Sequence, residues 1–167
     1  MNDFGQVGAF HHKFGLQSVT NSPTHVTPKL LDYGTANFRI KFLSEELAEF
    51  AAAVIEEDMP GIADALVDLV YVALGTAHMY GLPWDALFAE VQRANMTKVR
   101  AANASESKRG SALDVVKPPG WTPPDIAGVL KEHLWEDERE TELIEFGTGV
   151  LGAGLKDKLE NDDDEGE

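Results

Sequence analysis

The sequence predicts an all-α protein, and three features carry the prediction. Ile62 to Ala77 reads Ile-Ala-Asp-Ala-Leu-Val-Asp-Leu-Val-Tyr-Val-Ala-Leu-Gly-Thr-Ala, with only Asp64 and Asp68 charged. A helix apolar on nearly every side is expected to be a buried one. The stretch before it sets Leu43, Leu47, Phe50 and Val54 at helical spacing, making one stripe. Proline and glycine then punctuate the periodic segments at Asp58-Met59-Pro60-Gly61 and Gly81-Leu82-Pro83.

Taken in order, Asp3 to Phe14 forms a short helix that Gly15 stops, and a polar loop from Ser18 to Pro28 follows. The second helix runs roughly from Ala36 to Glu57, and the aspartate helix then runs to about Tyr80. Pro83 suits the first turn of a fourth helix, from about Trp84 to Arg100, anchored by Leu87, Phe88 and Val91. Beyond Ala101 the pattern fails. Lys117 to Pro124 holds four prolines and must be extended, because proline lacks an N–H and restricts the residue before it. Ile126 to Phe146 reads as one more helix, and Asn161 to Glu167 is a charge run expected to be disordered. The expected organisation is one domain over 1–127, a helical extension over 128–146 and an acidic tail over 147–167.

Composition narrows the function. A length of 167 residues suits one domain with its own core. The absence of cysteine excludes disulfides and thiolate metal sites. The N-terminus lacks the pattern of a secretory signal. Ile62 to Leu82 is long enough to suggest a membrane span, but two central aspartates would each cost about 2.5–3.5 kcal/mol there. A soluble, cytoplasmic protein with no membrane partner is expected. The net charge is −15, and residues 131–167, with 14 acidic and 4 basic side chains, supply two-thirds of it. Such a chain has no electrostatic footprint for nucleic acid.

The chemistry lies in the carboxylates. Asp64 and Asp68 point the same way from a helix expected to be buried, where an unpaired charge is costly. Upstream, Ser44-Glu45-Glu46-Leu47-Ala48-Glu49 adds three more. If the chain reverses near Asp58 and Met59, the numbers of facing residues total about 117. Glu49 then faces Asp68, with Glu46 and Asp64 about one turn to either side. Glu46 and Glu49 lie inward and Glu45 is solvated. Glu46, Glu49, Asp64 and Asp68 thus form an all-oxygen set suited to magnesium or manganese rather than zinc. Separately, the glutamates read as a solvated helix face and Asp64 as a first-turn acid. Asp68 sits too far along its helix for that account, and the four together favour a metal site.

Other side chains stay open. Asn95 and Lys98 are one turn apart and, taken alone, could be a surface pair. Arg39 reads first as an ordinary surface charge and second as a holder of a terminal phosphate. Trp121 either lids a pocket, stacks on a base or packs on the core. Lys117, with Lys108 and Arg109, reaches phosphates only if its segment folds back. His11-His12 is discounted as a metal site, because adjacent helical residues face ~100° apart. The apolar hairpin has more surface than its flanking helices can cover, so a homodimer or homotetramer with a four-helix core is expected.

The order Glu-Glu-x-x-Glu, a short spacer, an acid, Asp-Leu-Val-Tyr and then Asn-Met-x-Lys resembles the all-α nucleoside triphosphate pyrophosphohydrolases, which include MazG-like enzymes and phosphoribosyl-ATP pyrophosphohydrolases. Ala63 to Ala77 and Lys117 to Pro124 are similar to bacterial and bacteriophage members, and the resemblance covers about residues 4–127. It departs at Ala65, where the family carries an acid. Asp64 is the available substitute, and Glu45 completes the set if Asp64 points away.

The resemblance implies a four- to five-helix MazG-like fold around a helical hairpin, with a four-helix bundle formed by oligomerisation. It implies Mg2+- or Mn2+-dependent cleavage of the α–β phosphoanhydride of a (deoxy)nucleoside triphosphate, to the monophosphate and pyrophosphate. Glu45 or Glu46 takes the proton, and Asn95, Lys98, Arg39, Lys117 and Trp121 bind substrate. Within the family, the expectation leans to a purine deoxynucleotide such as dGTP, in the host cytoplasm if the protein is viral. The alternatives are a phosphoribosyl-ATP pyrophosphohydrolase of histidine synthesis and a non-catalytic helical binding module. A di-iron bundle is disfavoured, since His78 and His133 lack an acid three residues before them.

Overall fold

A computed structural model describes residues 2–16 and 27–133. Five helices form in order: α1 (Asp3–Lys13), α2 (Tyr33–Ile55), α3 (Met59–Met79), α4 (Trp84–Met96) and α5 (Ile126–Glu132). Two short strands, β1 (Val99–Arg100) and β2 (Val115–Val116), pair antiparallel with Val99 opposite Val116 and Arg100 opposite Val115. Among the described residues the regular structure is helical apart from this small ribbon. The remainder of the helix expected to reach Phe146, and the acidic tail over 147–167, lie outside the described residues.

Local chemistry sets the helix ends. Asn2 caps α1 by accepting from the Gly5 N–H, and Asp32 caps α2 by accepting from the Thr35 N–H. Three C-termini share one pair of hydrogen bonds. Leu16 N donates to His11 O and Gly15 N to His12 O; Asp58 N to Ala53 O and Glu57 N to Val54 O; Leu82 N to Ala77 O and Gly81 N to His78 O. The residue at the bend has positive φ each time: 63° at Gly15, 67° at Gly81 and 57° at Glu57. Glycine adopts that conformation freely, and glutamate does not.

This corrects the expected reversal. Pro60 and Gly61 lie in the first turn of α3, where proline is tolerated, so the chain turns at Glu57. α2 and α3 pack as an antiparallel hairpin in which a Cβ on Gly61 would meet Ala53, and Arg39 reaches Thr76. Facing numbers therefore total about 114 rather than 117, a shift of nearly one turn. Glu46, not Glu49, now stands level with Asp68. The fourth helix also stops short, at Met96, because Val99 and Arg100 leave it to pair with β2.

α1 packs across α3 through two reciprocal contacts. A Cβ on Gly8 would lie 2.6 Å from His78 Cε1, and one on Gly75 would collide with His11 Nε2. Each helix thus offers a glycine to the other's histidine. His78 Nε2 donates to the Phe4 carbonyl at 2.7 Å, and the Phe4 ring stacks on the imidazole.

α3 is covered on one side only. Ala65, Val72, Leu74, Gly75 and Ala77 are buried, but Leu66, Val67 and Val70 are exposed. Asp64 and Asp68 are exposed too. The expectation of a buried helix with buried aspartates therefore fails for the described residues of the single chain, where α1 and α2 supply the main packing against α3. The stripe on α2 behaves the same way. Leu47 and Val54 face outward, while the heptad-spaced row Arg39, Glu46 and Ala53 faces α3. Met59–Met79 is also long and apolar enough to cross a membrane by length and composition alone, and 28% of that apolar window is buried within the described residues.

Candidate active site

A cleft of about 390 Å³ opens where α1, α2 and α3 meet, and Arg39, Phe42, Glu46, Asp68, Tyr71 and His11 contribute to its lining. Glu46 is 8% exposed, under shallow cover. Burial pushes its carboxyl above the ordinary value of 4.5, and the charges of Glu49, Asp68, Glu45 and Asp64 add to the shift in that order. All the predicted carboxylates therefore act on one group. Asp64 acts least, as expected of a residue one position away from the buried Ala65, which faces the seam. Glu45 and Glu49 are exposed on α2. Among the described residues no three of these side chains come close enough to share one ion.

The donors still suit a divalent cation. They are all carboxylate oxygens, the choice of magnesium and manganese. Their mutual repulsion, visible in the shifted Glu46, is what a cation would relieve.

Arg39 departs most from its expected place. It is a buried side chain, 7% exposed, rather than a surface charge. Its Nε donates to Thr76 Oγ1 at 3.1 Å and its Nη2 to the Val72 carbonyl at 2.9 Å, while Thr76 donates in turn to Val72 O. The guanidinium lies 5.1 Å from the Phe42 ring centre. Neither ion pair among the described residues involves it. His11, discounted from sequence, is 3% exposed, and its Nδ1 has no hydrogen-bond partner among the described residues. Burial lowers its pKa below 6.5, helped by Arg39 and His78 and opposed weakly by the Leu16 backbone. Gly75 on α3 leaves the room that His11 fills, a pairing that no local sequence pattern signals.

The remaining candidates form a second cluster on α4. The Lys117 segment does fold back. Trp121 Nε1 donates to the Ala94 carbonyl at 2.9 Å, and Asp125 N donates to Glu90 Oε1 at 2.8 Å. Lys117 Nζ lies 4.3 Å and Lys98 Nζ 5.8 Å from the Trp121 ring centre, and Lys98 donates to Asn95 Oδ1 at 2.8 Å. Asn95, Lys98, Lys117 and Trp121 thus come together as two cations on an aromatic plate. Arg93 clamps the strap, paired with Glu90 at 2.7 Å and donating to the Pro123 carbonyl. Arg93 and the backbone N–H of Asp125 hold the Glu90 carboxyl down at about 2. Arg109 pairs instead with Asp114. None of this cluster lines the carboxylate cleft.

The described residues thus hold a helical hairpin with an acid-lined cleft and a buried arginine, and a basic strap on α4 that lies off that cleft. A family model described as phosphoribosyl-ATP pyrophosphohydrolase matches residues 7–95, just over half of the chain, and the chain belongs to that family. The matched segment contains His11, Arg39, all five carboxylates and Asn95, but not Lys98, Lys117 or Trp121. Membership supports nucleotide pyrophosphohydrolase activity. Comparison with curated proteins gives no match.

Proposed function

We propose that this protein is a divalent-metal-dependent nucleoside triphosphate pyrophosphohydrolase acting on a purine deoxynucleotide such as dGTP. The observation that carries the reading is Glu46, a carboxyl in the cleft level with Asp68, raised first by its burial and then by four neighbouring acids, inside the segment the family matches. Glu46, Glu49 and Asp68 would hold a magnesium or manganese ion, with Asp64 or Glu45 completing the set. Such an ion neutralises polyphosphate charge and acidifies water.

The reaction balances simply. A water oxygen bonds to the α-phosphorus, the bond from that phosphorus to the α–β bridging oxygen breaks, and pyrophosphate leaves. Glu46 or its neighbour Glu45 accepts the proton of the attacking water. Lys98 and Lys117 meet phosphates, and the Trp121 plate orders the strap that carries Lys117. Because that strap lies off the cleft of its own chain, a second copy is the natural way to complete the site. The exposed residues Leu47, Val54, Leu66, Val67 and Val70 give such a copy an apolar face to cover. A groove of about 500 Å³, lined by Val7, Leu66, Val67, Val70 and Leu74, continues that face.

Phosphoribosyl-ATP is the second substrate reading, favoured by the description of the matching family. Incubating the full chain with magnesium and each common nucleotide, and with phosphoribosyl-ATP, followed by separation of products, tests the proposal. Monophosphate plus pyrophosphate is the expected result. Diphosphate plus orthophosphate, or no turnover, would overturn it.

A further inference from the structure

The strap from Lys117 to Asp125 holds two like charges side by side, and α4 supplies the means. We propose that Glu90 and Arg93 are positioning residues, which together seat the strap so that Lys117 stands beside Lys98 as a preformed pair for a polyphosphate. The inference rests on the pyrophosphohydrolase reading and adds what builds its cationic end.

The register of the ribbon sets the problem. Val99 pairs with Val116, so the next rung outward places Lys98 opposite Lys117. Like charges directly opposite one another on paired strands repel. Neither lysine belongs to an ion pair among the described residues, and both ammonium groups lie over the Trp121 ring, 5.8 Å and 4.3 Å from its centre. A multiply charged anion between them relieves the repulsion. Without one, a free strap would relieve it by splaying.

The strap cannot resist splaying by itself. Pro118, Pro119, Pro123 and Pro124 have no N–H to donate. Its fastenings come from one face of α4, where Ala94 O accepts from Trp121 Nε1. Glu90 Oε1 accepts the Asp125 N–H at 2.8 Å, at the residue that caps α5. Arg93 Nη2 donates to the Pro123 carbonyl at 3.2 Å. The two side chains also hold each other in a fork, Arg93 Nε to Glu90 Oε2 at 2.8 Å and Nη2 to Oε1 at 2.7 Å. An exposed ion pair one turn apart contributes little alone. This pair differs because each partner also bonds the backbone of the strap. The Glu90 carboxyl, held at about 2, stays ionised around neutral pH, so the clamp is closed there.

Steady-state rates on the full chain, with magnesium and the nucleotide it hydrolyses best, test this. Glu90→Gln keeps the shape of the side chain and breaks the ion pair. KM should rise roughly threefold to tenfold, with kcat changing less. The direction is diagnostic, because removing an acid near a phosphate site would lower KM by charge alone. Arg93→Ala should raise KM by a similar factor. In a Lys117→Ala background neither change should raise it further, since each acts through Lys117. A lower or unchanged KM in Glu90→Gln, or factors that multiply in the double variants, would overturn the inference and leave pyrophosphohydrolase function standing. If Arg93→Ala fails to fold, Glu90→Gln decides alone. Should the native chain hydrolyse no nucleotide, the pyrophosphohydrolase reading has failed, and calorimetric binding of inorganic pyrophosphate to the native chain and to Glu90→Gln tests the clamp separately. Weaker binding by the variant supports it; equal or tighter binding, or none by the native chain, refutes it.

Discussion

Replacing Glu57 by glycine should stabilise the protein, and the reason lies in how the hairpin turns. α2 ends in the same hydrogen-bond pair as α1 and α3, yet it alone of the three places a side chain at the left-handed position, with φ 57°. Crowding between that Cβ and the backbone costs an L-residue about 1–2 kcal/mol. Glycine removes the cost but has more backbone freedom to lose on folding, worth about 0.5–1 kcal/mol. The net gain is about 0.5–1 kcal/mol, or roughly 1–4 °C in Tm for a chain of this size. Thermal unfolding of the full chain followed by circular dichroism reads it, with Gly81→Ala as the opposite control, expected to lose stability. Turnover should not change, since Glu57 is exposed at the hairpin tip. A lower Tm for Glu57→Gly would mean that the chain does not reverse there. The pairing of Glu46 with Asp68 would then lose its basis.

Three further outcomes are expected. Glu46 has a folded pKa above its ordinary 4.5, so the folded state favours its protonated form; the stability this gives is present below that value and is lost as pH rises through the raised one. With metal chelated, Glu46→Gln should therefore melt higher than the native chain at neutral pH and show little advantage near pH 4, and the reverse trend in a pH series of melting curves would refute the assignment. If the proposed phosphate contacts hold, Lys98→Ala and Lys117→Ala should each raise KM, read from steady-state rates, because each removes a cation beside Trp121; unchanged KM in both would remove the strap from the site. Light scattering at micromolar concentration should give a dimer or tetramer, and a stable monomer of 18.2 kDa would contradict the second-copy account.

The helices were legible because their signals are local. The apolar period of α3, the glycines at the ends of α1 and α3 and the proline before α4 each act within one or two turns. The hairpin register was not, since it depends on which residue takes the left-handed bend. Nothing in the side chain of Glu57 announces that role, while Pro60 and Gly61 advertise a break they do not make. One turn of slip moved the partner of Asp68 from Glu49 to Glu46. Acids recur at both turns of α2, so the slip brings another glutamate opposite Asp68. Arg39 was misjudged because an isolated arginine reads as surface unless its cover is known, and here the cover comes from Val72, Thr76 and Phe42, over thirty positions away or one turn on. The burial of His11 depends on Gly75 in another helix, a pairing no window of sequence displays.

The central claim is that the Glu46–Asp68 cleft carries out pyrophosphate release. Asp68→Asn removes ligand charge while keeping the shape of the side chain, and Asp68 is exposed, so the fold should tolerate it. Pyrophosphate release from the nucleotide the native chain hydrolyses best, with magnesium present, is measured for both proteins at matched circular dichroism. The account predicts a loss of roughly a hundredfold or more in Asp68→Asn, at least what disturbing a metal ligand's surroundings costs. Near-native release of pyrophosphate by a folded Asp68→Asn would contradict it.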